Sequence, residues 1–224
     1  MQAIACSTVR MIDAIRETAG APFPLWTKIQ GFLSPEENAC LLEFALGHQA
    51  AFSPTTVQSS DVERENLYHR SSRKLVGGLG DWKPLFTKRF ADIFPSVCQE
   101  VGVKPEPIAK VELELVAHNH GDHFGRHVDT LRHSTNYSER TARFLSAVYY
   151  FFSEPPGFSG GELRIHPFGP PDPQGRYVDV TPQNNMAVFF PAFAAHEVLK
   201  VSCLSREFVS SRFAVNCWFH KALE

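Results

Sequence analysis

"KVELELVAHNHGDHFGRHVD", residues 110–129, changes character part-way along, and both the fold and the chemistry turn on that change. The first eight residues set apolar side chains between charged ones, the two-residue period of a strand. The next twelve, "HNHGDHFGRHVD", hold four of the chain's ten histidines and two aspartates. A strand that runs into so many metal-competent groups raises the question of which of them hold an ion.

Downstream the strand character continues. "RFLSAVYYFF", "GELRI", "NMAVFFP" and "RFAVNCWFH" are alternating or continuously apolar runs rich in β-branched and aromatic residues. "SEPPGFSGG" and "PFGPPDPQGRY" separate them with turn-forming residues suited to hairpin loops. Within the first loop, Gly160 and Gly161 make a tight turn into "ELRI".

Upstream the period is helical. "SPEENACLLEFALGHQ" opens with a capping Ser34, Pro35 at the first helical position and Glu37 to complete a capping box. A second helix over roughly 83–101 carries Leu85, Phe86, Phe90, Ile93, Phe94 and Val97 on one stripe, with a kink expected at Pro95 and an end at Gly102. Helices followed by a run of strands predict an α+β, mainly β fold, with N-terminal helices packed on one face of an antiparallel sheet. One domain over 1–224 is expected, with 1–109 mostly helical support and 110–220 the catalytic core.

Composition narrows the function classes. The chain has 224 residues, a net charge of -2 and 43% hydrophobic residues, so nothing in its charge attracts a phosphate backbone or an anionic membrane. No nucleic-acid or membrane partner is expected. Five cysteines, widely spread and without a C-x-x-C pair, fit a reducing compartment, and the N-terminal residues lack the apolar run of a signal peptide. A cytoplasmic location is expected.

Side chains two apart in a strand share a face, so His127 and Asp129 can reach one metal from positions about 6.5 Å apart along the backbone. Two imidazoles and a carboxylate make the facial triad of non-haem Fe(II) oxygenases, which requires one more histidine. His196 in "PAFAAHEVLKV" fits, because it follows one strand and begins another. In "SSRFAVNCWFH", alternation puts Arg212, Ala214, Asn216 and Trp218 on one face and Phe213, Val215, Cys217 and Phe219 on the other. An arginine opening an otherwise apolar strand calls for an anion.

These elements, in this order, resemble the prolyl-4-hydroxylase-type branch of the 2-oxoglutarate and Fe(II)-dependent dioxygenases over about residues 111–220. The resemblance implies a double-stranded β-helix (jelly-roll) core with His127, Asp129 and His196 on iron. It implies that Arg212, helped by Tyr150, binds the distal carboxylate of 2-oxoglutarate. It further implies O2 as co-oxidant, ascorbate as a stimulant, and hydroxylation of an amino acid, a peptidyl residue such as proline, or a small natural product. Asp129 favours hydroxylation over halogenation, since related halogenases leave that position open for halide. His118 stands where the family usually has Tyr, and it too is assigned to the cosubstrate.

Several readings compete with these. A zinc cluster of the four histidines in "HNHGDHFGRHVD" would draw in His118, His120 and His123, but leaves Asp129 and Arg212 without a role. Strand parity does not choose between Tyr149 and Tyr150. The R-x5-R spacing of Arg206 and Arg212 is similar to that of nucleic-acid dealkylases of the same superfamily, and a non-catalytic metal-binding sensor or scaffold is a further alternative. Residues 130–143 and 68–75 are candidate lids. Oligomeric state has no signature in the sequence.

Overall fold

The computed structural model describes residues 21–55, 70–130, 141–170, 172 and 174–223. Among the described residues, two α-helices, α1 (Pro35–Gly47) and α2 (Trp82–Glu100), precede the main strands. The capping box of α1 forms as its sequence requires. The Glu37 N–H donates to Ser34 Oγ at 3.1 Å, and the Ser34 N–H donates to Glu37 Oε2 at 2.8 Å. A cap of this kind is worth about 1 kcal/mol. Arg89 of α2 also reaches both Glu37 carboxylate oxygens at 2.9 Å, which ties the two helices together.

Helix α2 continues through Pro95 to Glu100. It ends in a Schellman turn: Gly102 adopts φ +67°, and the Val103 N–H donates to the Cys98 carbonyl at 2.9 Å.

Among the described residues, fourteen strands form two main sheets and a small ribbon. The N-terminal part supplies β1 (Thr27–Gln30), β2 (Phe52–Pro54), β3 (Arg70–Ser71) and β4 (Arg73–Leu75). Beside its two helices, the described part of 1–109 thus adds short strands to both sheets. Strands of two to four residues are too short to show a period in sequence.

The remaining strands are β5 (Lys110–His118), β6 (His123–His127), β7 (Thr141–Phe151), β8 (Ser159–Gly160), β9 (Leu163–Ile165), β10 (Val178–Val180), β11 (Met186–Pro191), β12 (His196–Val198), β13 (Val201–Ser202) and β14 (Arg212–Ala222). The large sheet runs β1-β11-β7-β14-β5-β4-β2, the second β10-β9-β12-β6-β3, and the ribbon pairs β13 with β8. From β5 onward the chain passes repeatedly between the two main sheets, the winding of a jelly roll.

The large sheet buries both faces, because its strands carry apolar residues at both parities. On one face Phe86, Phe90 and Phe94 of α2 pack with Phe32, Tyr149, Phe189 and Phe219. On the other, Val116, Tyr150, Val188, Phe190 and Ala214 meet Leu163 and Ile165 of the second sheet. Each fully buried aromatic or aliphatic side chain contributes about 1.5–3 kcal/mol. The helices thus cover one sheet face as expected, and the space between the sheets is left for the site. Among the described residues no helix is long and apolar enough to cross a membrane.

Candidate metal centre and its anion cradle

His127 is the last residue of β6 and His196 the first of β12, and the two face each other across that strand pair. Their ring centroids lie 4.2 Å apart. Asp129 falls just beyond β6, held there by its N–H donating to the Ala192 carbonyl at 2.9 Å. Its Oδ1 is 3.6 Å from His127 Nε2 and its Oδ2 3.7 Å from His196 Nε2. One donor atom from each of the three lies within 4.8 Å of the others.

Backbone contacts set the imidazole tautomers. His127 Nδ1 is 2.8 Å from the Gly125 carbonyl and His196 Nδ1 2.9 Å from the Ala194 carbonyl. A carbonyl only accepts, so each Nδ1 carries the proton and each Nε2 keeps its lone pair for an ion. Ser146 Oγ donates to Asp129 Oδ2 at 2.7 Å and orients the carboxylate.

Burial would raise the Asp129 carboxyl, but the facing imidazoles of His196 and His127 and the Ser146 hydroxyl outweigh it and hold the group ionised. Burial, reinforced by His127, pushes His196 down to about 4 against the pull of Asp129. Two imidazole nitrogens and one carboxylate oxygen gathered at one point are the donor types a divalent metal takes. The donor set therefore fits Fe(II).

Arg212, the first residue of β14, is buried beside this centre. Its Nη1 lies 3.3 Å from His118 Nδ1, and its guanidinium carbon lies 4.7 Å from the centre of the Tyr150 ring. Arg212 Nε, Arg212 Nη2 and Tyr150 Oη are buried with no hydrogen-bond partner among the described residues. A buried cation with unfilled donors next to an unfilled phenol is costly alone and suited to a carboxylate. Gly161, at φ +73°, forms the wall behind it: a Cβ there would sit 2.6 Å from Arg212 Cδ.

The six residues singled out in sequence, His118, His127, Asp129, Tyr150, His196 and Arg212, all line one cavity between the sheets. Tyr149 points the other way, its hydroxyl 2.7 Å from Asn38 Oδ1 on α1. His120 is exposed, with Nδ1 accepting from the Cys203 N–H at 3.3 Å, and His123 Nδ1 faces the Gly121 carbonyl at 3.2 Å. Neither joins the metal-competent cluster. Lys200 and Arg206 are exposed, Arg206 in a turn at φ +58°.

Three contributors are not assigned to the site by the sequence reading. Ser146 had a signal, a lone hydroxyl within "RFLSAVYYFF". Gly161 had the Gly-Gly pair, explained there by the turn alone. Arg70 was quoted only as part of a candidate lid. Of the two candidate lids, residues 131–140 and 68–69 lie outside the described residues; Arg70–Ser71 and Arg73–Leu75 are strands, and Arg70 lines the cavity.

Comparison with known proteins places this geometry among relatives. The sequence profile of the 2OG-Fe(II) oxygenase superfamily matches residues 113–220. A PKHD-type hydroxylase of Synechocystis sp., itself uncharacterized, is 33% identical over 209 residues, covering 88% of this chain. The chain spans 63% of the length of that curated relative.

Among solved structures, a Pseudomonas putida prolyl-4-hydroxylase matches with a TM-score of 0.60 at 20% identity, over 88% of this chain and 92% of the other. The viral collagen prolyl hydroxylase of Paramecium bursaria Chlorella virus-1, solved with 2OG, matches with a TM-score of 0.53 at 16% identity, over 88% and 97%. At these identities the structural likeness is one of fold.

Proposed function

We propose that the chain is a member of the 2OG-Fe(II) oxygenase superfamily, on its prolyl-4-hydroxylase-type branch, as the profile match over residues 113–220 and the PKHD-type relative support, and that it is an Fe(II)- and 2-oxoglutarate-dependent hydroxylase. The proposed reaction converts R–H, 2-oxoglutarate and O2 to R–OH, succinate and CO2. The substrate is an amino acid, a peptidyl residue such as proline, or a small natural product. We read the chain as one catalytic domain, working in the cytoplasm, where the unpaired thiols of Cys98, Cys203 and Cys217 would stay reduced.

The single observation that carries the proposal is the pairing of two unsatisfied sites in one cavity: the His127–Asp129–His196 donor set and the Arg212–Tyr150 cradle. A metal site alone needs no buried guanidinium with free donors beside it.

In this reading His127, Asp129 and His196 hold Fe(II), which when bound supplies the activation of O2 coupled to decarboxylation of the cosubstrate. Arg212 binds the distal carboxylate of 2-oxoglutarate through its free Nε and Nη2, with Tyr150 Oη as a further donor. His118 accepts from Arg212 and fixes the guanidinium plane. Gly161 leaves room for that side chain, and Ser146 holds the Asp129 carboxylate towards the two imidazoles. The apolar walls, Phe124, Leu163 and Val198 among them, exclude water from the reacting centre.

The test is direct. Anaerobic addition of Fe(II) and 2-oxoglutarate should give a weak visible charge-transfer band, and admission of air should then yield succinate. Metal binding with neither signal would overturn the hydroxylase and favour a metal-binding scaffold. Stimulation of turnover by ascorbate is expected in the same assay.

A further inference from the structure

Two arginines, Arg143 and Arg70, each reach a glutamate of β5. Arg143 is held through both Nη nitrogens, its Nη2 2.9 Å from Glu112 Oε2 and its Nη1 3.5 Å from the Asp129 carbonyl, with its guanidinium 4.0 Å from the Trp218 ring centre; its Nε, like that of Arg70, is buried without a partner among the described residues. Glu112 also takes His220 Nε2 at 3.0 Å, and Arg143 does not line the cavity.

Arg70 differs in its place and in its carboxylate contact. It lines the cavity, and it meets Glu114 through Nη2 alone at 3.5 Å, the outer limit of a hydrogen bond. Its Nε is buried without a partner among the described residues. The guanidinium lies 4.7 Å from the centre of the Phe124 ring, and that same ring stacks on the His127 imidazole at 3.6 Å. One aromatic ring thus links a half-satisfied cation to a proposed iron ligand. Asn216, opposite Glu114 across β14 and β5, adds an amide to the same cavity.

If Arg212 takes the distal carboxylate of the cosubstrate, a second cation, Arg70, remains in the cavity with an unfilled Nε. Resting on the hydroxylase reading above, we propose that Arg70 captures a carboxylate of the primary substrate, so that the molecule hydroxylated carries a free carboxylate near the reacting carbon. Glu114 occupies the arginine in the resting protein and yields part of it when the substrate binds. The carboxylate can belong to a free amino acid or to the last residue of a peptide, since the recognising chemistry is the same.

The experiment is calorimetric binding to the protein loaded anaerobically with Fe(II) and 2-oxoglutarate. The probes are the twenty free amino acids, their carboxamides, and tripeptides with free or amidated C-termini. Free acids are expected to bind at least about tenfold more tightly than their carboxamides, a difference of about 1.4 kcal/mol. Whether amino acids or tripeptides bind identifies the source. Arg70→Gln should remove the preference by weakening the acids and sparing the carboxamides, while Arg70→Lys retains part of it. Glu114→Gln should tighten the acids by removing a competing carboxylate, an effect that a merely structural ion pair would not produce.

Equal binding of acids and carboxamides, no acid binding in the set, or equal loss of both forms in Arg70→Gln would overturn the inference. Absence of the charge-transfer band before any probe is added would instead sink the hydroxylase reading on which it rests. A normal band with no acid preference sinks the carboxylate inference alone.

Discussion

His118 Nδ1 lies 3.3 Å from Arg212 Nη1, and because a guanidinium nitrogen can only donate, the histidine accepts. A neutral imidazole thus partners the buried cation. Removing Arg212 itself should be far more damaging, since disrupting a buried charged pair costs roughly 3–5 kcal/mol. Arg212→Ala is therefore expected to raise KM for 2-oxoglutarate by about two orders of magnitude or more. The exposed Arg206→Ala and Lys200→Ala should each shift it by less than about tenfold. Titration of 2-oxoglutarate against succinate formation in the three variants checks this, and a large effect at Arg206 alone would return the dealkylase reading.

Gly161 should behave as part of the cosubstrate site although it carries no side chain. A methyl there meets Arg212 Cδ and also Val201 Cγ2, at 2.9 Å, from a left-handed backbone that costs roughly 1–3 kcal/mol for a non-glycine residue. Gly161→Ala is expected to raise KM for 2-oxoglutarate about tenfold or more, with Fe(II) stoichiometry kept. An unchanged KM would show that the guanidinium can be held elsewhere.

At the metal centre the variants should form a graded series. Asp129→Ala is expected to abolish succinate formation and weaken Fe(II) binding while the fold survives, since the large sheet and its helices pack without it. Ser146→Ala removes only the group that orients the carboxylate, so Fe(II) affinity should fall about 10–100-fold. His120→Ala and His123→Ala should leave one iron per chain. Competition with a chelator of known affinity measures all four, and loss of metal at His120 or His123 would favour the histidine cluster.

Acid should destabilise the metal-free protein in a defined window. Burial, then the charges of Arg212 and Arg70, hold His118 well below the ordinary imidazole range, and burial lowers His220 against the pull of Glu112. Below the unfolded value of about 6.5, the unfolded chain binds protons that the folded chain refuses, so stability is lost as pH falls through that window. Above it both states are neutral, and these groups contribute no slope. Urea midpoints across the window should fall toward acid. His118→Gln, which retains an acceptor for Arg212, should give a shallower slope, and an unchanged slope would remove His118 as a contributor.

Much of this protein is determined locally and was legible in its sequence. The α1 capping box and the Schellman end of α2 depend on neighbours within a few residues. The two faces of β14 follow from the two-residue period, which does place Arg212, Asn216 and Trp218 in the cavity and Phe213, Val215 and Cys217 against the helices. His127 and Asp129 were visible for the same reason, two residues apart beside one strand.

Tertiary structure decided the rest, because the deciding contacts join residues far apart in the chain. Tyr149 and Tyr150 both sit in an apolar run on a strand buried on both faces, so only the presence of α1 on one side and Arg212 on the other assigns their roles. Ser146 becomes a carboxylate partner because β7 passes the end of β6, and Gly161 becomes a wall because its turn lies against β14. Arg70 sits in a two-residue strand with no readable period, and only its pairing with Phe124 on β6 brings the guanidinium into the cavity.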